Sequence, residues 1–421
     1  MTTPLADLTA TEARRRIVAG TLRRETLLEA CLERIARDEE RVRAFAWFDA
    51  DAARSASPRP GPLHGLPLGV KDVLDTADMP TACNSPLWAG NRPRADAGCV
   101  AWAREAGAVV IGKTVTTEFA TRHPGPTTNP HGATRTPGGS SSGSAAGVAA
   151  GFFPLAFGTQ TAGSVIRPAA YCGVWGFKPS FGLIPRTGHK LMSDTLDTVG
   201  TFGRSAADCA LLAGAASRRD FGPATAPEAA PRVGLCRGPA WDRAAAPETH
   251  AVMERAAAAV VRAGAVLSDW ELPDPAGFED AHAVVMNHES ALALGWEMTT
   301  GRDRISSGLL ERMDWGLSQD GVAADAAASL LARHRESFAV ALGGFDVLLT
   351  PAAPGEAPEG LGWTGDAGFN LVWTALHVPC VSVPAGVGPN GMPLAVQVVG
   401  RRGADAAVLA WADWVARALA A

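Results

Sequence analysis

Short apolar runs separated by glycine alternate with helix-like stretches along the chain. They predict an α/β protein: a single large domain whose central mixed β-sheet is flanked by helices on both faces. Two further observations support this. The runs lack polar alternation, as strands buried on both sides do. The chain has 421 residues, more than one small core usually holds, so it needs either two domains or one large layered structure. With 47% apolar and 19% charged residues, it has the composition of an ordinary globular protein with a core able to bury a polar site.

Taken in order, residues 11–37 place Leu28, Leu32 and Ile35 at i, i+4 and i+7 and predict an amphipathic helix. A Pro-rich linker follows at 55–62. Strands are then expected at 68–70, 109–111, 155–157, 233–235, 347–349, 381–383 and 396–399. Helices are expected at 97–106, 250–263 and 404–420, and a small-residue buried helix at 145–150. Segment 215–345 is richer in helix-like sequence and carries Trp241, Trp270, Trp296 and Trp315, which predicts a cap over one end of the sheet. No repeat of solenoid period occurs.

Several function classes drop out. The formal net charge is −5 and no basic run exceeds Arg14, Arg15 and Arg16, so no nucleic-acid partner is expected. Seven widely spaced cysteines without a C-x-x-C predict free thiols in a reducing cytosol, with no disulfide framework and no thiolate zinc site. His282 and His288 lack zincin spacing, and neither a metal nor a cofactor is expected. The first residues carry no apolar signal region. The longest apolar stretch, 145–158, is too short to span a bilayer and contains Pro154, so the expected location is cytoplasmic, with no membrane partner.

One motif is a decoy. Gly107, Gly112, Lys113 and Thr114 satisfy the spacing of a phosphate-binding loop, but the four intervening residues are Ala-Val-Val-Ile. An extended strand cannot curl its amides around a phosphate.

Two segments carry chemistry. Residues 136–147, Thr-Pro-Gly-Gly-Ser-Ser-Ser-Gly-Ser-Ala-Ala-Gly, run straight into the small-residue helix and the strand at 155–157. A flexible linker would not sit inside a core, so the segment reads as a loop feeding a packed helix. The second, 158–170, follows that strand. Here Ser164 stands at a bend after Gly163, and the N–H groups of Thr161, Ala162, Gly163 and Ser164 are placed to form an oxyanion hole.

A serine nucleophile needs a base. None of the nine histidines is singled out by a pairing pattern, although His131 and His189 lie near the motifs and leave a Ser–His–Asp triad open. Lys71 ends the apolar run at 68–70, where burial would depress its pKa and make it a usable base. An ion pair with Asp72 is the alternative reading, and the residues alone leave both standing. Cys172 sits in an apolar run, as an inert core thiol would.

Together these segments resemble the amidase signature family. The resemblance rests on Gly69-Val-Lys-Asp72, Gly112-Lys-Thr114 with Glu118-Phe-Ala120, Asn129-Pro130, Pro137 to Ser144, Gly163-Ser-Val-Ile-Arg167 and Gly173 to Pro179. Later matches are Phe369-Asn370, Trp373-Thr374, Val378-Pro379 and Gln397 to Arg401. It implies that Ser164 is the nucleophile, Ser140 a bridging hydroxyl entered through a cis peptide, and Lys71 the base. The implied reaction is carboxamide hydrolysis through an acyl-enzyme. It also implies an N-terminal helical region (1–54), a catalytic core (64–210), a variable cap-like region (215–345) and a return to the sheet (346–421). The expected partner is a small-molecule amide, and family habit implies a homodimer. The alternative is an amidase subunit that delivers ammonia within an amidotransferase-type complex.

Two departures from the family pattern matter. Ala162 stands where many members have glycine, so that position must keep an ordinary backbone conformation. Gln160 stands where many have aspartate. This leaves Arg167 either free to bind a substrate carboxylate, as in malonamidase-like members, or tying loops together.

Overall fold

The computed structural model describes residues 3–222, 224 and 227–421. Among them, eleven strands form one sheet. They are β1 (Phe45–Phe48), β2 (Pro67–Lys71), β3 (Val109–Thr114), β4 (Leu155–Gln160), β5 (Trp175–Lys178), β6 (Thr198–Gly203), β7 (Arg232–Leu235), β8 (Val266–Asp269), β9 (Val347–Pro351), β10 (Cys380–Val387) and β11 (Pro393–Val399). Their order is β1-β3-β2-β4-β6-β5-β10-β11-β9-β7-β8. The sheet is mixed: β3, β2 and β4 run parallel, as do β9, β7 and β8, and the strands between them pair antiparallel.

Side chains alternate between two buried faces, as the pleat requires. Val70, Val110 and Phe157 point into a core shared with the helices Gly98–Glu105, Ala206–Ser217, Pro247–Arg262 and Asp405–Ala420. Their neighbours Val109, Ile111 and Ala156 point the other way, against the helices Ser142–Ala150 and Ile166–Cys172. Helices thus cover both faces, as the alternating sequence predicts. All seven predicted strands lie in this sheet.

One register irregularity matters later. The β2–β3 pairing slips between Leu68 and Gly69, so that Gly69 lies opposite Gly112, Val70 opposite Lys113 and Lys71 opposite Thr114. A bulge of this kind reverses which face the following side chains occupy. Lys113 therefore shares the face of Val70, and Lys71 shares that of Thr114.

The helix expected over 11–37 is two helices, Ala10–Val18 and Arg24–Val42. The break falls at Gly20, whose φ of +70° a helix cannot hold. Segment 215–345 adds β7 and β8 to one sheet edge and also carries the helices Phe278–Ala293 and Ser307–Ser318, which pack on each other. Among the described residues, all seven cysteines are free and buried, and no helix is long and apolar enough to cross a membrane.

Candidate active site

Lys71 closes β2 with its side chain fully buried. Its Nζ donates to Ser140 Oγ at 2.7 Å, to Thr159 Oγ1 at 2.7 Å and to the Thr159 carbonyl at 3.3 Å. Asp72, its neighbour in sequence, lies on the opposite side of the strand and pairs with Lys113 at 3.2 Å. Lys71 thus has no carboxylate partner among the described residues. Burial lowers its amine from the ordinary 10.5 to about 7, although Asp197 and Cys83 pull the other way. A group with that value is half neutral near physiological pH.

The glycine–serine segment is an ordered, buried loop, not a linker. Its Gly139–Ser140 peptide bond is cis, as the resemblance implies. Ser142 starts the helix Ser142–Ala150, and Ser141 Oγ bridges to β4 by accepting from Thr159 N–H and donating to the Thr159 carbonyl, each at 3.2 Å. Small residues are needed here because the helix lies almost on the sheet. A Cβ at Gly147 would come within 2.1 Å of the Phe153 ring, and one at Gly143 within 2.1 Å of the Ala44 carbonyl oxygen.

Ser164 sits on the turn between β4 and the helix Ile166–Cys172. Ser141 N–H donates to the Ser164 carbonyl at 3.4 Å, so the turns that carry Ser140 and Ser164 lie against each other. The two serine hydroxyls are not hydrogen-bonded to one another. Among the described residues, the N–H groups of Thr161, Ala162, Gly163 and Ser164 have no acceptor. Ala162 keeps a negative φ, as its departure from glycine requires. Gly163 is needed for space, not for φ: a Cβ there would meet Asn370 Oδ1 at 2.5 Å.

Gln160 shapes this turn. Its Oε1 accepts from the N–H groups of Val165 and Ile166, at 2.8 and 3.0 Å, and its Nε2 donates to Thr374 Oγ1 at 2.9 Å. Thr374 Oγ1 in turn donates to the Ala162 carbonyl at 2.7 Å. Gln160 thus caps a helix and does not contact Arg167. The Arg167 guanidinium donates to the Gly139 carbonyl at 2.6 Å and to Thr364 Oγ1 at 3.2 Å, while its Nε is buried without a partner.

Three contributors carried no local signal in the sequence. Thr159 holds the Lys71 amine. Asp197 accepts from Thr161 Oγ1 at 2.6 Å and from Met192 N–H at 2.7 Å. His282 Nε2 donates to the Thr161 carbonyl at 3.1 Å, and burial keeps this imidazole neutral by lowering it to about 4. A contact between residues 121 apart leaves no trace in spacing.

A cleft of about 410 Å³ opens above Ser164. Thr161, Ala162, Ser164 and Arg167 line its floor, and residues of the helices Phe278–Ala293 and Ser307–Ser318 line its walls. The competing bases do not reach it. His131 is bonded to the Cys172 carbonyl at 3.0 Å, and His189 is buried and lowered to about 3 by that burial. Burial pushes the Cys172 thiol far upward, which leaves it unreactive. The decoy motif is the strand β3, and its lysine is the partner of Asp72.

A cleft over a turn of unpaired N–H groups, backed by a buried lysine–serine contact on this sheet, belongs to a known class. The amidase family profile matches residues 26–409, and the chain belongs to that family. Its relatives sharpen the picture. It is 41% identical over 225 residues to the A subunit of the glutamyl-tRNA(Gln) amidotransferase of Roseiflexus castenholzii, a match covering 50% of this chain and 46% of that protein. The chain spans about half the length of the curated relatives it matches. Among solved structures, a crystal structure of an amidase superposes with a TM-score of 0.88 at 30% identity, covering 97% of this chain and 99% of that one. A peptide amidase in complex with the competitive inhibitor chymostatin superposes with a TM-score of 0.83 at 30% identity, covering 99% and 98%.

Proposed function

We propose that the enzyme cleaves a carboxamide C–N bond by a relay from Ser164 through Ser140 to Lys71. The observation that carries this is the Lys71 amine, buried without a carboxylate and 2.7 Å from Ser140 Oγ. Neutral Lys71 takes the proton of Ser140, which takes that of Ser164 as its oxygen attacks the carbonyl carbon. The hydroxyl–hydroxyl link between the serines closes when substrate seats Ser164. The oxyanion is received by the free N–H groups at residues 161–164. The relay then returns a proton to the leaving nitrogen as the C–N bond breaks, and water cleaves the acyl-serine ester. In this reading residues 64–210 hold the chemistry, and 215–345 form the variable wall above it. Arg167 fixes the Gly139 carbonyl and so the Ser140 turn.

Ammonia release from a panel of short aliphatic, aryl and carboxylate-bearing amides tests the reading. Activity lost in both Ser164→Ala and Lys71→Ala supports the relay, and activity surviving in Ser164→Ala removes Ser164 as nucleophile. The 41% identity to amidotransferase chains favours a second reading, in which this chain passes ammonia to a partner. Ammonia release by a pure homodimer argues for the first; release that needs an added co-purifying protein argues for the second.

A further inference from the structure

The cleft above Ser164 is lined by three guanidinium groups, those of Arg122, Arg167 and Arg312. None has an ion pair among the described residues. Three carboxylates also line the cleft, but two of them are committed elsewhere: Arg243 holds Glu279 at 3.0 Å and Asp366 at 2.9 Å. Asp280, the third, is exposed. With Arg243 counted, the cleft carries one positive charge in excess, and its three lining arginines stand apart from the two paired carboxylates. Burial lowers Arg312 to about 10, and repulsion from Arg122 adds to the effect. Arg122 also repels Arg167.

Arg122 and Arg312 are held in place together. Arg122 lies on a sharply turned segment in which Phe119 and Ala120 have φ of 45° and 59°. Thr117 Oγ1 ties that turn by donating to the Thr121 carbonyl at 2.8 Å. The buried Glu118 carboxylate accepts from Ser306 N–H at 3.3 Å and from the Ser306 hydroxyl. Ser306 precedes the helix Ser307–Ser318, which carries Arg312. One carboxylate thus links the turn of the first arginine to the helix of the second. Arg122 is exposed and Arg312 half-buried, and an anion seated between the two would relieve the repulsion that Arg122 exerts on Arg312. A carboxylate can accept forked hydrogen bonds from two guanidinium groups at once.

We propose that Arg122 and Arg312 together bind a carboxylate carried by the substrate, so that the amide hydrolysed here is a short anionic one. The inference rests on Ser164 hydrolysis for its second half only; the anion site itself stands on the two arginines. A cleft of about 410 Å³ is at the small end of ligand cavities and suits a compact molecule with an amide at one end and a carboxylate at the other.

The test compares butyramide with succinamate, which replaces the terminal methyl by carboxylate, using the native enzyme, Arg122→Gln and Arg312→Gln. The native enzyme is expected to favour succinamate by about 100-fold in kcat/KM, and each variant to cut that ratio about tenfold. No preference in the native enzyme, or a ratio unchanged in both variants, overturns the anion site while leaving amide hydrolysis intact. Calorimetric binding of succinate to Ser164→Ala, alone and combined with each arginine change, decides the case where neither amide turns over. Affinity reduced about tenfold or more by each change upholds the site without the hydrolysis reading, and equal affinity across the three proteins overturns it.

Discussion

Asp72 pairs with Lys113 at 3.2 Å and not with Lys71, its neighbour in sequence. Adjacent residues of an extended strand point to opposite faces, and the pairing of β2 with β3 brings Lys113 to the face that Asp72 occupies. This relationship leaves Lys71 free of any carboxylate. Removing one partner of a buried pair strands the other charge. Lys113→Met is expected to destabilise the fold by about 3–5 kcal/mol in urea denaturation. A loss below about 1 kcal/mol would mean that the Ala82 N–H, which donates to the Asp72 carboxylate, satisfies it alone.

In the proposed relay the lowered Lys71 amine sets the pH profile. A protonated amine cannot accept a proton, so kcat/KM should rise with slope one as pH increases toward about 7 and level off above it. Burial also weakens the folded-state hold on the proton, so the unfolded chain binds more protons between about 7 and 10.5, and stability gains from this group as pH rises through that window. A flat kcat/KM between pH 5.5 and 9 would remove Lys71 as the base.

Gln160 holds the turn of Ser164 from both sides. Gln160→Ala is expected to cost about 1–3 kcal/mol of stability, because two N–H groups and one hydroxyl lose their partner. It should also lower kcat at least about tenfold, since the turn no longer fixes Ser164, the nucleophile of the proposed relay. Gln160→Glu keeps the two N–H bonds and loses the donor to Thr374, so it should recover much of the stability. Equal losses in the two variants would show that the Thr374 bond dominates.

Gly163→Ala places a methyl 2.5 Å from Asn370 Oδ1. Turnover should fall about 100-fold with little change in secondary structure. Asn370→Ala in the same chain should restore part of the loss. A fully active Gly163→Ala would show that the turn has room the geometry denies.

Buried neutral histidines make the fold sensitive to acid. His282 and His189 are lowered by burial to about 4 and about 3, below the 6.5 of an unfolded histidine. As pH falls below 6.5 the unfolded chain takes up protons first, and stability drops by about 1.4 kcal/mol per pH unit for each group until its folded pKa is reached. Stability curves from pH 7 to 4.5 should therefore slope downward, and His282→Gln should flatten them. An unchanged slope in that variant would show that His282 does not contribute to the acid limit.

The sequence displayed the strands that are rich in β-branched residues, because apolar runs buried on both faces look alike wherever they occur. It concealed β6, Thr-Val-Gly-Thr-Phe-Gly, whose glycines and threonines read as a turn although all six residues are buried. It also concealed β1, β5 and β8, four residues each and too short for a period to declare itself. The placing of Lys71 against Ser140, and of the Ser164 turn beside it, was legible because these residues lie in compact motifs. Asp197 and His282 were not, since each reaches Thr161 from a distant part of the chain through a single hydrogen bond. Arg122 and Arg312 escaped notice because they line the cleft from segments far apart in the chain.

The slip in register between β2 and β3 has a consequence beyond geometry. Val109 and Ile111 face the helix Ser142–Ala150, and strict alternation would send Lys113 to that same side, beside Lys71. One extra residue in β3 instead sorts two nearby amines into separate compartments, one paired with a counter-ion and one without. Shortening β3 by a residue would merge those compartments, so in this fold the length of a buried strand is itself a determinant of acid–base chemistry.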